Sequence, residues 1–162
     1  MIIVVWGVSG CGKSTVGAML AQQLGGTFYD ADDYHPQSNI QKMSQGIALN
    51  DEDRMPWLGR LAQLIAESLA SGTTSVLACS ALKLKYRELL RVDPALVKFV
   101  HLRGDFELIA ARLAKREHEF MNNSLLQSQF DTLEEDGEYT TIDIGAEPAQ
   151  ICSTICSALD LR

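Results

Sequence analysis

The feature that most constrains this chain is a glycine-rich segment near the N-terminus, between an apolar run and a helical pattern. Residues 2–6 are all apolar, as in a strand that is buried on both faces of a parallel sheet. Residues 13–24 then place apolar side chains at helical spacing and end at two glycines. The segment between them matches the pattern G-x-x-x-x-G-K-[ST] with the residues Gly7, Val8, Ser9, Gly10, Cys11, Gly12, Lys13 and Ser14, followed by Thr15. A strand, this loop and a helix in direct succession predict a phosphate-binding loop, or P-loop.

Each part of this loop has a physical reason to be there. Glycines let the backbone wrap closely enough for several N–H groups to face one cluster of phosphate oxygens. The helix that follows adds the positive end of its dipole at the same place. Lys13 is expected to bind the β- and γ-phosphates of ATP, and the Ser14 hydroxyl is expected to ligate Mg²⁺. The alternative, a glycine turn without a ligand, leaves the Lys13-Ser14 pair unexplained.

Short apolar runs alternate with longer helical patterns along the rest of the chain. Further strands are predicted at residues 27–29, 74–79, 96–102 and 140–144, and further helices at 36–45, 51–70, 83–91, 105–116, 125–134 and 149–159. This alternation predicts right-handed crossovers and a parallel sheet covered on both faces. We therefore expect one α/β domain over residues 1–162, with the three-layer P-loop NTPase fold. It has a five-stranded parallel sheet, helices on both faces and a small helical lid at about residues 116–136.

Composition excludes several classes of protein. The formal net charge is −7, from 21 acidic and 14 basic side chains, which argues against a nucleic-acid partner. No apolar run approaches the roughly 20 residues of a membrane span. The apolar start has no basic region before it and no cleavage site after it, so we expect a cytoplasmic protein. The cysteines lack CxxC spacing and predict reduced thiols, not a disulfide framework or a zinc site, at Cys11, Cys79, Cys152 and Cys156.

The positions of the acidic residues narrow the class of P-loop protein. The base-reading Asn-Lys-x-Asp element of GTPases is absent. The third predicted strand ends in Ser80, where motor-like ATPases carry the Walker-B aspartate. Carboxylates instead follow the second strand, in residues 30–33. This arrangement favours a kinase of small molecules, whose acceptor lies over the carboxyl ends of the strands.

The chain resembles the gluconokinase family in several blocks that occur in order with the expected spacing. They are DADDYHP at residues 30–36, LNDEDR at 49–54, PWL at 56–58, CSALK at 79–83 and the residues LL, SQF and LE between 125 and 134. The resemblance implies transfer of the ATP γ-phosphoryl group to the 6-hydroxyl of D-gluconate, by a homodimer. Two alternatives stay open: a kinase of another hydroxy acid, such as shikimate, and a nucleotide-binding regulatory module without turnover.

The resemblance also implies roles for single residues. By analogy with shikimate-kinase-type sites, Asp32 orients or deprotonates the acceptor hydroxyl, and Asp30 helps to hold the water shell of Mg²⁺. The alternative is that these acids only cap the following helix. Gluconate carries a carboxylate and several hydroxyls, so its pocket needs fixed cations and hydrogen-bonding groups. The candidates are the cations Arg54, Lys83 and Arg87, with the last two on one helix face, and the polar residues His35, Asn39, Ser80 and Gln129.

Two arginines lie at the end of the helix that enters the predicted lid, and the lid sequence departs from the family pattern. Arg112 and Arg116 are one helical turn apart and are expected to close over ATP, although a basic helix end is the simpler alternative. Residues 116–120 read Arg-Glu-His-Glu-Phe, where family members usually have Arg-x-Gly-His-Phe. Residues 143–150 are a candidate adenine edge. Cys11, at a helix N-terminus, predicts a thiol that is weakly sensitive to oxidation and protected by ATP.

Overall fold

A sheet of five parallel strands forms the centre of the computed structural model, which describes residues 1–115 and 123–161. The strands are β1 (Ile2–Trp6), β2 (Thr27–Asp30), β3 (Ser75–Cys79), β4 (Val97–Arg103) and β5 (Thr140–Asp143). Their order is β2-β3-β1-β4-β5, so the first strand lies in the middle. All pairs are parallel. The carboxyl ends of the strands therefore meet at one edge, where the glycine loop, the acidic segment and Ser80 follow.

Helices cover both faces of the sheet. The described residues form α1 (Lys13–Gln23), α2 (Gln37–Ser44), α3 (Asp51–Ala70), α4 (Leu84–Leu90), α5 (Phe106–Lys115), α6 (Asn123–Thr132) and α7 (Pro148–Ala158). Side chains of β1 alternate between two cores: Ile3 and Val5 pack with α1 and α7. Ile2, Val4 and Trp6 pack with α3 and α4. The predicted three-layer P-loop fold is confirmed.

The predicted strands and helices are present, with ends that differ by at most two residues from those predicted. One element was not predicted, a 3-10 turn at Ala31–Tyr34. It begins where the Asp32 amide donates to the Asp30 carboxylate, a local contact that leaves no mark in the apolar periodicity. Of the predicted lid, residues 116–122 lie outside the described residues, and the lid stays a prediction. Among the described helices, none has the length and apolar character needed to cross a bilayer.

The start of α3 is fixed by a reciprocal cap. The Asp53 amide donates to the Asn50 side chain at 2.8 Å, and the Asn50 amide donates to the Asp53 carboxylate at 3.0 Å. Such a capping box satisfies two N–H groups that the helix itself leaves free. Lys42 of α2 also donates to both Asp53 oxygens, so α2 is tied to the same point. These bonds fix the first turn of α3, which carries Asp51 and Arg54 to the edge of the sheet.

Candidate active site

The glycine loop joins β1 to α1 through glycines with left-handed backbone. Gly10 and Gly12 have φ angles of +82° and +96°, in the left-handed region that favours glycine. A Cβ on Gly10 would lie 2.8 Å from Leu113 of α5, so a larger residue also lacks room there. Gly12 is the N-cap of α1, and the Val16 amide donates to its carbonyl. The loop therefore ends directly at a helix N-terminus, where an anion is stabilised.

Lys13 is folded back over the loop that precedes it. Its ammonium nitrogen donates to the carbonyl oxygens of Gly7 and Val8, both at 3.0 Å. It also lies 3.9 Å from the Cys11 sulfur, and the Cys11 side chain is buried beneath the loop. The ammonium thus remains at the mouth of the loop, where phosphate oxygens can replace the carbonyls as its partners.

Gln129 connects the loop to α6. Its side-chain oxygen accepts from the Ser9 amide at 2.7 Å, and its nitrogen donates to the Ser9 hydroxyl at 3.0 Å. The two residues are 120 positions apart in sequence. Gln129 was predicted to bind substrate, and the structure places it in the wall of the cleft but also bonded to the phosphate loop. It therefore holds α6, which lies within the range of the predicted lid, against the loop.

Ser14 and Asp30 form a pair of oxygen donors next to the loop. The Ser14 hydroxyl donates to Asp30 Oδ2 at 3.2 Å, while Asp30 Oδ1 accepts from the Asp32 amide. A hydroxyl and a carboxylate are the hard oxygen ligands that Mg²⁺ prefers, and Mg²⁺ usually keeps several waters. The donor set therefore fits the predicted metal position, with Asp30 near enough to act directly or through water.

Asp32 presents its carboxylate to the cleft. The side chain is 83% exposed and lies in the 3-10 turn after β2. The surrounding walls of the cleft reduce its hydration and raise its pKa, and the charge of Asp30 raises it further, whereas Lys13 acts in the opposite direction. A carboxylate with a raised pKa is a better proton acceptor, as the predicted role requires.

His35 and Asn39 occupy different layers of the cleft wall. His35 lines the cleft, and its ring stacks on Trp57 with 4.2 Å between the ring centres. Asn39 is 1% exposed and donates to the Asp53 carbonyl and to His35 Nδ1. The prediction that Asn39 contacts substrate hydroxyls is wrong for this structure, because the amide is buried behind His35 and its N–H groups are already bonded.

Cations line the part of the cleft beyond Asp32. Arg54 donates to the Tyr86 hydroxyl at 3.1 Å and lies over its ring. Asp51 accepts from Lys83 at 2.9 Å and also from Lys85 and the Tyr86 hydroxyl. The bonds from Lys85, Tyr86 and Lys83 hold the pKa of Asp51 well below its usual range. One carboxylate thus orders two lysines directly and Arg54 through the Tyr86 hydroxyl, and the positive charge in excess suits an anionic ligand.

Ser80 follows β3 at the same edge and lines the cleft, as predicted. Its carbonyl accepts from the Gly7 amide at 3.3 Å, which joins the end of β3 to the start of the phosphate loop. The Ser80 side chain is half-buried between the loop and the cationic wall. This backbone hydrogen bond holds the part of the cleft that follows β3 next to the phosphate loop.

Arg87 does not lie in the cleft, and its predicted contact with substrate is wrong. It is 1% exposed and donates to the carbonyls of Ala81, Glu134 and Asp136 at 2.7–2.8 Å. Its guanidinium lies 3.9 Å from the centre of the Trp6 ring. Lys83 is the N-cap of α4 with extended backbone, so Lys83 and Arg87 do not share a helix face. Arg87 instead fastens the chain after α6 to the start of α4.

We expect an Arg87→Leu variant to lose about 3 kcal/mol or more of unfolding free energy, because three carbonyls lose a charged donor at once. Urea denaturation followed by circular dichroism measures the loss. Arg91→Leu is the matched control, since half-buried Arg91 donates to one carbonyl, that of Glu138. If Arg87→Leu has normal stability but binds its substrate more weakly, Arg87 belongs to the substrate site after all.

Two cavities flank the phosphate loop. The larger, about 770 Å³, extends from the loop across Asp32 and His35 to the cationic wall. The smaller, about 320 Å³, lies between the loop, Arg112 and residues 145–148. Arg112 donates to the Ile144 carbonyl at 2.6 Å. The predicted adenine edge therefore borders a real cavity beside the loop, whereas Arg116 lies outside the described residues.

Sequence reasoning missed several residues that line the larger cavity or lie directly behind its wall. Trp57 supports His35 from below and donates from its ring nitrogen to the Ala31 carbonyl at 2.7 Å. Tyr86 and Asp51 order the cations, and apolar Ile40 and Ile47 form the outer wall, where they are 44% and 48% exposed. Asp51 and Trp57 lie within the blocks LNDEDR and PWL, and this membership is the feature of the sequence that could have indicated their place in the site. Their contacts cross helices and could not be read from spacing.

Comparison with known proteins identifies the family. The model of the shikimate kinase family matches residues 9–158. A gluconokinase from Arabidopsis thaliana is 48% identical over 95% of this chain and 89% of the plant protein. A probable gluconokinase from Rattus norvegicus is 51% identical over 82% of each chain. The crystal structure of a gluconokinase from Sinorhizobium meliloti 1021 superposes with a TM-score of 0.83 at 40% identity, over 98% of this chain and 94% of that one. With its phosphate loop, cleft and sequence in agreement, this chain is a kinase that belongs to the gluconokinase family.

Proposed function

We propose that this protein transfers the γ-phosphoryl group of ATP to the 6-hydroxyl of D-gluconate, giving 6-phospho-D-gluconate and ADP. The observation that carries the proposal is a single cleft in which the phosphate loop faces Asp32, with Arg54 and Lys83 further along the same wall. Relatives that are 48% and 40% identical and are named gluconokinases support this acceptor.

The nucleotide side of the cleft uses the loop and its neighbours. The loop amides and Lys13 bind the phosphates, and Ser14 and Asp30 hold Mg²⁺, which neutralises phosphate charge when it is bound. The smaller cavity accommodates the base, with Arg112 at its border. Phosphoryl transfer depends mainly on position and charge, and these residues supply both from one rigid corner of the sheet.

The acceptor side places the reacting hydroxyl at Asp32. Asp32 accepts the hydroxyl proton while the 6-oxygen bonds to the transferred phosphorus and the bond from that phosphorus to ADP breaks. His35 lies beside Asp32 and can donate to the same oxygen. Arg54 and Lys83 bind the carboxylate at the other end of the sugar acid. The extended polyol chain of gluconate therefore spans the distance from Asp32 to these two cations.

We expect saturable ADP release with ATP, Mg²⁺ and D-gluconate, and little with other aldonates or shikimate at the same concentration. The physical reason is that the carboxylate and the reacting hydroxyl must reach both ends of the cleft at once. A coupled spectrophotometric assay over this panel measures the rates, with EDTA as the control for the metal. Turnover on shikimate alone favours a shikimate-type kinase; nucleotide binding without any turnover favours a regulatory module.

The family resemblance also supports a homodimer in the cytoplasm, and both form part of the proposal. Light scattering of the purified protein measures its mass in solution. A mass of about twice 17.8 kDa supports the dimer, and a mass of one chain contradicts it. Fractionation of the producing cells tests the location.

A further inference from the structure

The ring of His35 is held in one plane at the edge of the cleft. It stacks on Trp57 at an interplanar angle of 15°, and its side chain is 4% exposed although it borders the cleft. Trp57 is in turn fixed by its bond to the Ala31 carbonyl. With the plane fixed by packing, the remaining variable is which ring nitrogen carries the proton.

The hydrogen bonds of Asn39 determine which ring nitrogen of His35 carries the proton. Its side-chain nitrogen donates to the Asp53 carbonyl at 2.8 Å, and because a carbonyl only accepts, the amide nitrogen must lie at this position. The same nitrogen is 3.2 Å from His35 Nδ1. An amide nitrogen only donates, so Nδ1 must accept. The proton of the neutral ring is therefore on Nε2.

The Nε2–H group points toward the reacting end of the cleft. Nε2 lies 3.9 Å from Asp32 Oδ1, too far for a hydrogen bond, so the proton is available to another oxygen between them. Burial, and then the charge of Arg54, lower the pKa of His35 to about 4. A neutral donor has an advantage here: an imidazolium would pair with Asp32 and make its carboxylate less basic.

We propose that Asn39 is a positioning residue that holds His35 in its Nε2–H form, so that this N–H donates to the acceptor oxygen that Asp32 deprotonates. The inference rests on the proposed function for the identity of the acceptor. The protonation state of the ring does not depend on it. Asn39 thus acts on the reaction through His35, from a buried place behind the cleft.

The first test asks whether Asn39 holds the His35 ring in its Nε2–H form. It measures the ¹⁵N chemical shifts of the two ring nitrogens by long-range ¹H–¹⁵N correlation without substrate. We expect a protonated Nε2 and a bare Nδ1 in the wild-type protein. In Asn39→Asp the new carboxylate accepts from Nδ1, so Nδ1 becomes protonated. A wild-type ring protonated at Nδ1, or unchanged shifts in Asn39→Asp, overturns the proposal.

The second test asks whether the Nε2–H group donates to the acceptor oxygen, and it uses the pH profile of gluconate phosphorylation. In Asn39→Asp the carboxylate raises the pKa of His35, against Arg54 and together with Asp32. Below that pKa the ring keeps both protons; as the pH rises through it, Nε2 loses its proton. We expect kcat of the variant to fall about 10- to 100-fold across this step, the effect of losing a charge-assisted hydrogen bond. A profile identical to that of the wild-type protein contradicts the proposal.

Matched variants separate this effect from damage to the fold. Gln41→Glu adds the same charge on the exposed side of α2 and should leave ring shifts and pH profile unchanged. Glutamine keeps an N–H donor at this position and leucine does not, so His35→Gln should retain more activity than His35→Leu. Equal rates of the two variants contradict a donor role for His35. Absence of gluconate turnover in the wild-type protein overturns the proposed function, and the ring shifts still decide the Asn39 assignment.

Discussion

An Asp32→Asn variant is expected to lose about 10²- to 10⁴-fold in kcat, the contribution of a positioned general base. Asparagine keeps the size of the side chain and removes its ability to accept a proton. The fold should remain, because the exposed carboxylate contributes little to packing. Coupled ADP release at saturating ATP and gluconate measures kcat, and calorimetry should show nearly unchanged ATP affinity.

Asp33→Asn is the matched control for this prediction. Asp33 is the next residue in the same 3-10 turn and is exposed, but it is not part of the cleft lining. The change in net charge is the same in both variants. Wild-type kcat in Asp32→Asn, or an equal loss in Asp33→Asn, would show that proton acceptance at Asp32 does not limit the reaction.

A Lys13→Met variant is expected to lose about 10²- to 10³-fold in kcat, comparable to the loss of one preorganised donor to developing charge. Methionine preserves most of the length and removes the ammonium. The wild-type ammonium is already held 3.0 Å from two loop carbonyls, so it needs little rearrangement to reach phosphate. We also expect weaker ATP binding, because ground-state phosphate charge loses the same partner.

Lys98→Met is the control, since Lys98 lies on β4 and lines neither cavity. Urea denaturation of both variants verifies that the fold is intact. The prediction fails if Lys13→Met matches the wild-type protein in rate and in ATP affinity. Together the two lysine variants separate the local charge at the loop from the net charge of the protein.

Local patterns in the sequence predicted most of the fold. The apolar run of β1 and the helical spacing of α1 involve residues within a few positions of each other. Such patterns can be recognised without knowing how the rest of the chain folds. The helix predicted at residues 105–116 is present as α5, and the Asp105 side chain caps its start by accepting from the Leu108 amide at 2.8 Å. The unpredicted 3-10 turn depends on a side-chain bond and not on periodicity.

Two site residues were misassigned for a single reason. Asn39 and Arg87 are polar residues that follow closely after the blocks at residues 30–36 and 79–83, so a contact with substrate was the natural interpretation. Both side chains turn inward, where Arg87 binds three carbonyls and Asn39 binds the Asp53 carbonyl and His35. Buried polar groups must be hydrogen-bonded, so a buried arginine or asparagine whose partners are carbonyls serves the fold and not a ligand. Spacing along a helix does not say which face points inward.

The phosphate loop, the parallel sheet and the corner where Asp30 and Asp32 follow a strand can be read from the amino-acid sequence, because each depends on backbone geometry and on neighbours in the chain. Which polar side chains reach the cleft depends on how the helices pack on the sheet. Gln129 meets Ser9 across 120 positions, and Arg54 meets Tyr86 across 32. Such contacts arise only when the packing of helices on the sheet fixes the direction of each side chain, which no local pattern encodes.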